Sequence, residues 1–316
     1  MCASAPGFLG NERIHKECHG YCIPWQTQQS HTHNLDEEAT LTQNAQICFV
    51  GAGNMASSLI RGLLSKGHEP SSICASDPAT AQLNPLAEIG VLTTTDNARA
   101  IAGAHVVVLA VKPQVLNEVV QNLPLTQTQL VISIAAGVPL TSLHAWTSAT
   151  QPIIRCMPNT PALVGAGITA LFASPAVAAE QRQQAEQLLG AAGTTLWVAS
   201  EQLLDAVTAV SGSGPAYFFY LMEAMIEAGE TLGLDAATAT KLTVQTAYGA
   251  ALMASQGTDL PGTLRVNVTS PGGTTEKALS IMDAADCRGI INAALNGAAQ
   301  RSAELAKEFG SNDPGK

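Results

Sequence analysis

Ile47-Cys48-Phe49-Val50-Gly51-Ala52-Gly53-Asn54-Met55-Ala56 decides how this chain is read. An apolar run ends at a glycine turn and passes directly into a helical pattern, which predicts strand, turn and helix. Each small residue has a task in such a turn. Gly51 permits the tight bend, Gly53 lets the backbone approach a phosphate with no Cβ in the way, and Ala56 keeps the helix close to the strand. Asn54 and Met55 open the helix, whose unpaired N–H groups and dipole favour an anion, so no lysine is needed in the turn itself. The chemistry this predicts is the binding of a dinucleotide pyrophosphate.

Downstream, short apolar runs alternate with helical segments, the signature of a parallel sheet flanked by helices. Strands are expected at Ile73 to Ser76, near Val91, at His105 to Val111, Leu130 to Ile134, Ile153 to Met157, Ile168 to Phe172 and Thr195 to Val198, with a helix over Gln181 to Leu189. The nearly continuous apolar run at His105 to Val111 suits a strand covered on both faces. After about Ser200 the strand signal stops and helices take over, so the domains expected are 46–200, doubly wound α/β of the Rossmann type, and 201–316, all-α.

Residues 1–45 are polar, rich in Gln and His and without periodicity, and are read as a poorly ordered extension. His15, Cys18, His19 and Cys22 place four soft-metal ligands close together there. No second Cys/His pair follows at finger spacing, so the expectation is no metal. Glu12, Glu17, Asp36, Glu37 and Glu38 argue against a transit peptide.

Charge narrows the partners. With 15 Lys and Arg against 25 Asp and Glu the net charge is −10, and no basic cluster offsets it, which argues against nucleic acid and anionic membranes. Only 13% of residues are charged while 46% are hydrophobic, so much surface is expected to be covered by helix packing or by another subunit. The seven cysteines have no repeated spacing, which suits a reducing cytoplasm, and no uninterrupted apolar run reaches the roughly 18 residues of a membrane span.

Cofactor choice is expected at the end of the second strand, where Ala75-Ser76-Asp77-Pro78 stands. Ser76 is able to donate to a ribose 2′-phosphate, whereas Asp77 repels one if it points inward or is a turn residue before Pro78. Past the fourth strand, Ala110-Val111-Lys112-Pro113 lies at the carboxyl edge where ligands bind in such folds. There Lys112 either faces phosphate or substrate, or is a solvated residue beside a helix that starts at Pro113. Arg155-Cys156-Met157-Pro158-Asn159-Thr160-Pro161 is read as a rigid wall beside the nicotinamide, with Cys156 a small packed residue.

In the helical part, Ala216 to Leu232 is apolar on nearly every side and is expected to be buried at a subunit interface. Asp235 reads as the cap of a helix over Ala236 to Ser255, and a last helix runs from about Arg288 to Phe309. Two loops are expected to matter. One is Val210-Ser211-Gly212-Ser213-Gly214-Pro215-Ala216-Tyr217. The other is Val268 to Lys277, where Ser270-Pro271-Gly272-Gly273-Thr274-Thr275 leads into a helix and is read either as a nest of N–H groups for a carboxylate or as a capping turn.

Taken together, Gly51-Ala-Gly-Asn-Met, Ala110-Val-Lys-Pro, Ile134-Ala-Ala-Gly-Val, Met157-Pro-Asn-Thr-Pro, Ser211-Gly-Ser-Gly-Pro-Ala-Tyr and Ser270-Pro-Gly-Gly-Thr-Thr resemble the pyrroline-5-carboxylate reductase family over about residues 46 to 310. The last two motifs, in this order and spacing, are far more specific than the glycine turn. The resemblance implies the last enzyme of proline synthesis, with NADPH as usual hydride donor and NADH also accepted. It also implies a helical C-terminal dimerisation domain that interlocks two subunits, with dimers often assembling into rings. By the same resemblance Asn97 lies on the adenosine side and Thr275 beside the ring nitrogen of 1-pyrroline-5-carboxylate. The N–H groups of Gly272, Gly273 and Thr274 are expected to converge on its carboxylate. A hydroxyacid dehydrogenase of the related two-domain type needs a lysine in the long helix, and none occurs between Lys112 and Lys241. A non-catalytic NADP sensor keeps the same nucleotide loops and is separated from an enzyme by assay.

Overall fold

The computed structural model describes residues 46–310, and these are built around one eight-stranded sheet. Its strands are Ile47–Val50 (β1), Ile73–Ser76 (β2), Leu92–Thr94 (β3), Val106–Leu109 (β4), Leu130–Ser133 (β5), Ile153–Met157 (β6), Gly167–Ala173 (β7) and Gly193–Trp197 (β8). The order is β3-β2-β1-β4-β5-β6-β7-β8. Every residue of β2, β4 and β5 is buried, as continuous apolar runs require when helices cover both faces. Extension 1–45, with His15, Cys18, His19 and Cys22, lies outside the described residues, as do residues 311–316.

The sheet is not wholly parallel, which corrects the expectation from the strand and helix alternation. β1 to β6 are parallel, but β7 runs antiparallel to β6, and β8 is parallel to β7. Connection length is the reason. Only a 3-10 turn, Thr160–Val164, joins β6 to β7, too short for a crossover helix, so the chain returns beside the strand it left. Between β7 and β8 the helix Ala179–Leu189 provides a full crossover and restores parallel pairing.

Helices Asn54–Ser65 (α1), Thr80–Ala87 (α2), Asn97–Ile101 (α3), Pro113–Gln121 (α4), Leu140–Trp146 (α5) and Ala179–Leu189 (α6) flank the sheet. On one face Ala56, Leu59, Ile60 and Leu63 of α1 meet Phe49, Ile132 and the α6 residues Ala185, Leu188 and Leu189. On the other, Leu116 and Val120 of α4 and Leu143 of α5 close over Val50, Val107 and Leu109. Gly62 lets α1 lie against the turn after α6, since a Cβ there would sit 2.6 Å from the Ala191 carbonyl oxygen.

The remainder is helical: Leu203–Val207 (α7), a π-helical turn at Thr208–Gly212, then Gly214–Thr231 (α8), Ala236–Gln256 (α9), Pro261–Asn267 (α10), Thr274–Ala284 (α11) and Cys287–Gly310 (α12). The stretch Val210 to Tyr217, expected as a loop, is instead the π turn running into α8. Asp235 caps α9, its carboxylate accepting from the Thr238 N–H at 3.0 Å. The burial expected for α8 is at a subunit interface; within one chain Phe218, Phe219 and Tyr220 are 65%, 63% and 74% exposed. The C-terminal end of α12 docks on the sheet's loop at Gly137, where a Cβ would lie 3.3 Å from that of Leu305. No helix among the described residues is long and apolar enough to cross a membrane.

Candidate active site

Parallel strands β2, β1 and β4 lie side by side, so their carboxyl ends share one edge, at the point where the strand order turns back on itself. That crevice is where a doubly wound sheet takes its ligand. Gly51 enters it with φ +101°, and a Cβ would fall 2.7 Å from the backbone carbonyl carbon and oxygen of Ala110. Its N–H donates to the Ser76 carbonyl at 2.7 Å, and the Ala110 N–H donates to the Val50 carbonyl at 2.8 Å, so the turn is tied to both neighbouring strands.

Gly53 is the N-cap residue of α1, and no side chain caps the helix there. A Cβ on Gly53 would meet open space rather than protein. The first N–H groups of α1, beginning at Asn54 and Met55, therefore need an acceptor from outside, and a pyrophosphate supplies one. Fully buried Ala56 keeps the helix on the sheet. Here the residues present fit a dinucleotide.

The cofactor-selecting position departs from expectation at Ser76. It is fully buried, and its Oγ stands 3.5 Å from the Phe49 carbonyl oxygen, facing the next strand instead of the crevice. It is withdrawn as a ligand of a 2′-phosphate. Asp77 is both inward and a turn residue. Its Oδ2 accepts from the Ala52 N–H at 3.0 Å and its Oδ1 from the Ala79 N–H at 2.9 Å. The carboxylate is thus a strut between the glycine turn and the end of β2. Asn97 begins α3, half-buried, behind the capping side chain of Asp96, whose Oδ1 accepts from the Arg99 N–H at 3.1 Å.

Ala110 and Val111 are half-buried at the end of β4, and exposed Lys112 is the N-cap residue of α4, with Pro113 at its first position. Lys112 makes no ion pair among the described residues, which leaves its ammonium free for an anion at this edge.

Beyond β6 the segment expected as a wall is the strand's end followed by the 3-10 turn Thr160–Val164. Cys156 is buried, and burial pushes its thiol far above the usual range against the opposing pull of the Arg155 charge, so it is a packing residue. Arg155 itself points away from solvent: its Nη1 donates to Glu201 Oε1 at 2.5 Å, and the same oxygen accepts from the Leu140 N–H at 2.7 Å. One carboxylate thereby joins β6, α5 and the start of the helical part. Asn159, 9% exposed, accepts at Oδ1 from the Ile168 N–H at 2.9 Å and donates from Nδ2 to the Ser211 carbonyl at 3.2 Å. Reading the sequence missed the ties to Glu201 and to Ser211, because each joins residues far apart in the chain.

At Ser270 to Thr275 the donors differ from those expected. The Gly272 N–H, with φ +70°, donates to Glu276 Oε2 at 2.7 Å, and the Gly273 N–H donates to the Ser270 carbonyl at 3.0 Å. Both glycine donors are consumed within the turn. Thr274 and Thr275, the first two residues of α11, keep N–H groups that have no acceptor in a helix start. Thr275 is half-buried and Thr274 exposed. The Glu276 carboxylate caps the turn through the Gly272 N–H alone.

Residues 201–305 match the family model described as Pyrroline-5-carboxylate reductase dimerisation, and residues 46–137 match that described as NADP oxidoreductase coenzyme F420-dependent. Pyrroline-5-carboxylate reductase of Pseudomonas aeruginosa is 52% identical over 268 residues, 84% of this chain and 98% of that protein. The chain belongs to the pyrroline-5-carboxylate reductase family. Among solved structures, a pyrroline-5-carboxylate reductase from Coxiella burnetii is 42% identical, with a TM-score of 0.79 over 83% of this chain and 99% of that one. A Plasmodium falciparum pyrroline carboxylate reductase with NADP bound is 25% identical, with a TM-score of 0.74 over 84% and 99%. The family's two-part architecture is the one seen here, a Rossmann-type sheet followed by a helical oligomerisation region, which makes the chain a homo-oligomer.

Proposed function

We propose that this chain reduces 1-pyrroline-5-carboxylate to L-proline with NADPH, the last step of proline synthesis. Similarity to the Pseudomonas aeruginosa pyrroline-5-carboxylate reductase over nearly the whole of that protein carries the reading. The chain divides into a dinucleotide-binding domain, 46–200, and a helical substrate and dimerisation domain, 201–316. It works in the cytoplasm, as a homodimer that assembles further into a ring of dimers.

Gly51, Gly53, Asn54 and Met55 take the pyrophosphate, and Asn97 the adenosine side. Ala110, Val111, Lys112 and Pro113 line the edge over β4, with the Lys112 charge facing phosphate. When bound, NADPH supplies the hydride, and NADH replaces it less effectively. The Ala52 and Ala79 N–H groups hold the Asp77 carboxylate against the backbone of the turns on either side of it.

The N–H groups of Thr274 and Thr275 receive the substrate carboxylate, strengthened by the dipole of α11, while Gly272 and Gly273 shape the turn. The Thr275 hydroxyl hydrogen-bonds the ring nitrogen. A neutral hydroxyl orients without supplying acid; the protonated imine is already electrophilic, so the protein's work is positioning and water exclusion. The test is direct. NADPH oxidation that depends on 1-pyrroline-5-carboxylate and yields L-proline is expected, whereas nucleotide binding without turnover would make the chain a sensor.

A further inference from the structure

Two motifs 52 residues apart in the chain, Met157-Pro-Asn-Thr-Pro and Ser211-Gly-Ser-Gly-Pro, meet at one side-chain amide. In a helix the Ser211 carbonyl is served by the N–H of residue 215, but residue 215 is Pro215, which has none. The next N–H along, that of Ala216, donates to the Ser213 carbonyl at 3.0 Å. The π turn uses the Ser213 N–H for Thr208, at 2.8 Å. The Ser211 carbonyl thus lacks its usual helical donor, in a residue that is half-buried, and a carbonyl left without a partner away from water is costly.

Asn159 satisfies it. Nearly buried, it donates from Nδ2 to that carbonyl and accepts at Oδ1 from the Ile168 N–H, so its one amide fixes the wall loop to β7 and to the entry of α8. The two segments are also in close contact: a Cβ on Gly212 would lie 2.3 Å from Met157 Cε, so a larger residue there requires the Met157 side chain to move. π turns inside helices recur at functional sites, where the extra residue re-aims the backbone.

We infer that Asn159 is the positioning residue of the active site: its amide couples the carbonyl that Pro215 leaves without a helical donor to the wall beside the nicotinamide, and so holds the wall at the distance hydride transfer needs. This rests on the proposed function for what the wall faces, and not for the coupling itself. Asparagine is required because both an acceptor and a donor are used. Aspartate keeps the acceptor and loses the donor; alanine at 215 returns an N–H that helical geometry aims at Ser211.

The experiment compares the wild type, Asn159→Asp, Pro215→Ala and the double variant in the full-length protein. In urea unfolding, the loss caused by Asn159→Asp is expected to be smaller when residue 215 is alanine; strictly additive losses overturn the coupling. In turnover, Asn159→Asp is expected to lower kcat about 10- to 100-fold with both KM values within about threefold, a geometric penalty of the size misplacement carries. The isotope effect with deuterated NADPH rises, and the double variant recovers part of kcat. A wild-type kcat in Asn159→Asp, or a loss shared equally by kcat and KM with no recovery, overturns the positioning role. Should the wild type itself not turn over, the proposed function fails, and the unfolding cycle still decides the coupling.

Discussion

Thr274 and Thr275 are neighbours on the first turn of α11, yet the helix presents one to solvent and half-buries the other. The proposed function gives the hydroxyl on the ring nitrogen to half-buried Thr275 and no such role to exposed Thr274. Thr275→Ala is therefore expected to lower kcat/KM by roughly ten- to a thousandfold, about 1.4 to 4 kcal/mol, with NADPH affinity nearly unchanged. Thr274→Ala is the control and should cost much less; equally mild effects in steady-state kinetics would reduce Thr275 to a helix cap. Gly51 gives a second prediction. A methyl group there must occupy a left-handed conformation and collide with the Ala110 backbone, so Gly51→Ala is expected to lose nucleotide binding and to lower the midpoint of thermal unfolding. Titration with NADPH alongside a melting curve checks both. Binding and stability like the wild type's would mean that the turn relaxes without cost.

At the scale of elements, ends matter more than middles. The Asp235 carboxylate accepts from both the hydroxyl and the N–H of Thr238, and these bonds hold its carboxyl below the usual range. A depressed folded-state value means that the cap's contribution is full above the unfolded value of about 3.9 and is lost as pH falls through the folded one. Asp235→Ala should accordingly destabilise the protein at neutral pH, and the difference from the wild type should shrink in acid. Urea midpoints at the two pH values measure it, and a difference independent of pH would show that charge plays no part in the cap. The short connection at Thr160–Val164 acts in the same way on the sheet, since by excluding a crossover helix it reverses β7 and places Asn159 beside Ile168.

For the whole molecule, the helices α8 and α9 are what one chain leaves unfinished. Phe218, Phe219 and Tyr220 stand exposed on α8, with Tyr248 and Met253 on α9, inside the region that matches the dimerisation model. Aromatic area on this scale is expected to be covered by a second copy, in keeping with the match to the dimerisation model. A dimer is expected in sedimentation at micromolar concentration, with no folded monomer. Phe219→Asp, which places a charge in that face, should yield aggregate or unfolded chain instead of an active monomer. A monodisperse, folded monomer of either protein would refute the obligate dimer.

The sequence alone determined the glycine turn, the positions of all eight strands to within a few residues, the Asp235 cap and the long apolar helix, because each is a local pattern read by period or by the needs of one backbone turn. What the tertiary structure decided was partnership. A strand buried on both faces does not announce whether Ser76 looks into the crevice or into the sheet, and the pairing with β1 turned it inward. Pro215 declares in the sequence that a carbonyl will lack its donor, but not that Asn159 will supply it. Nor does a salt-bridging pattern foretell that Glu201 joins β6 to α5. Such contacts depend on which surfaces the folded core brings within hydrogen-bonding reach, and no local pattern carries that distance.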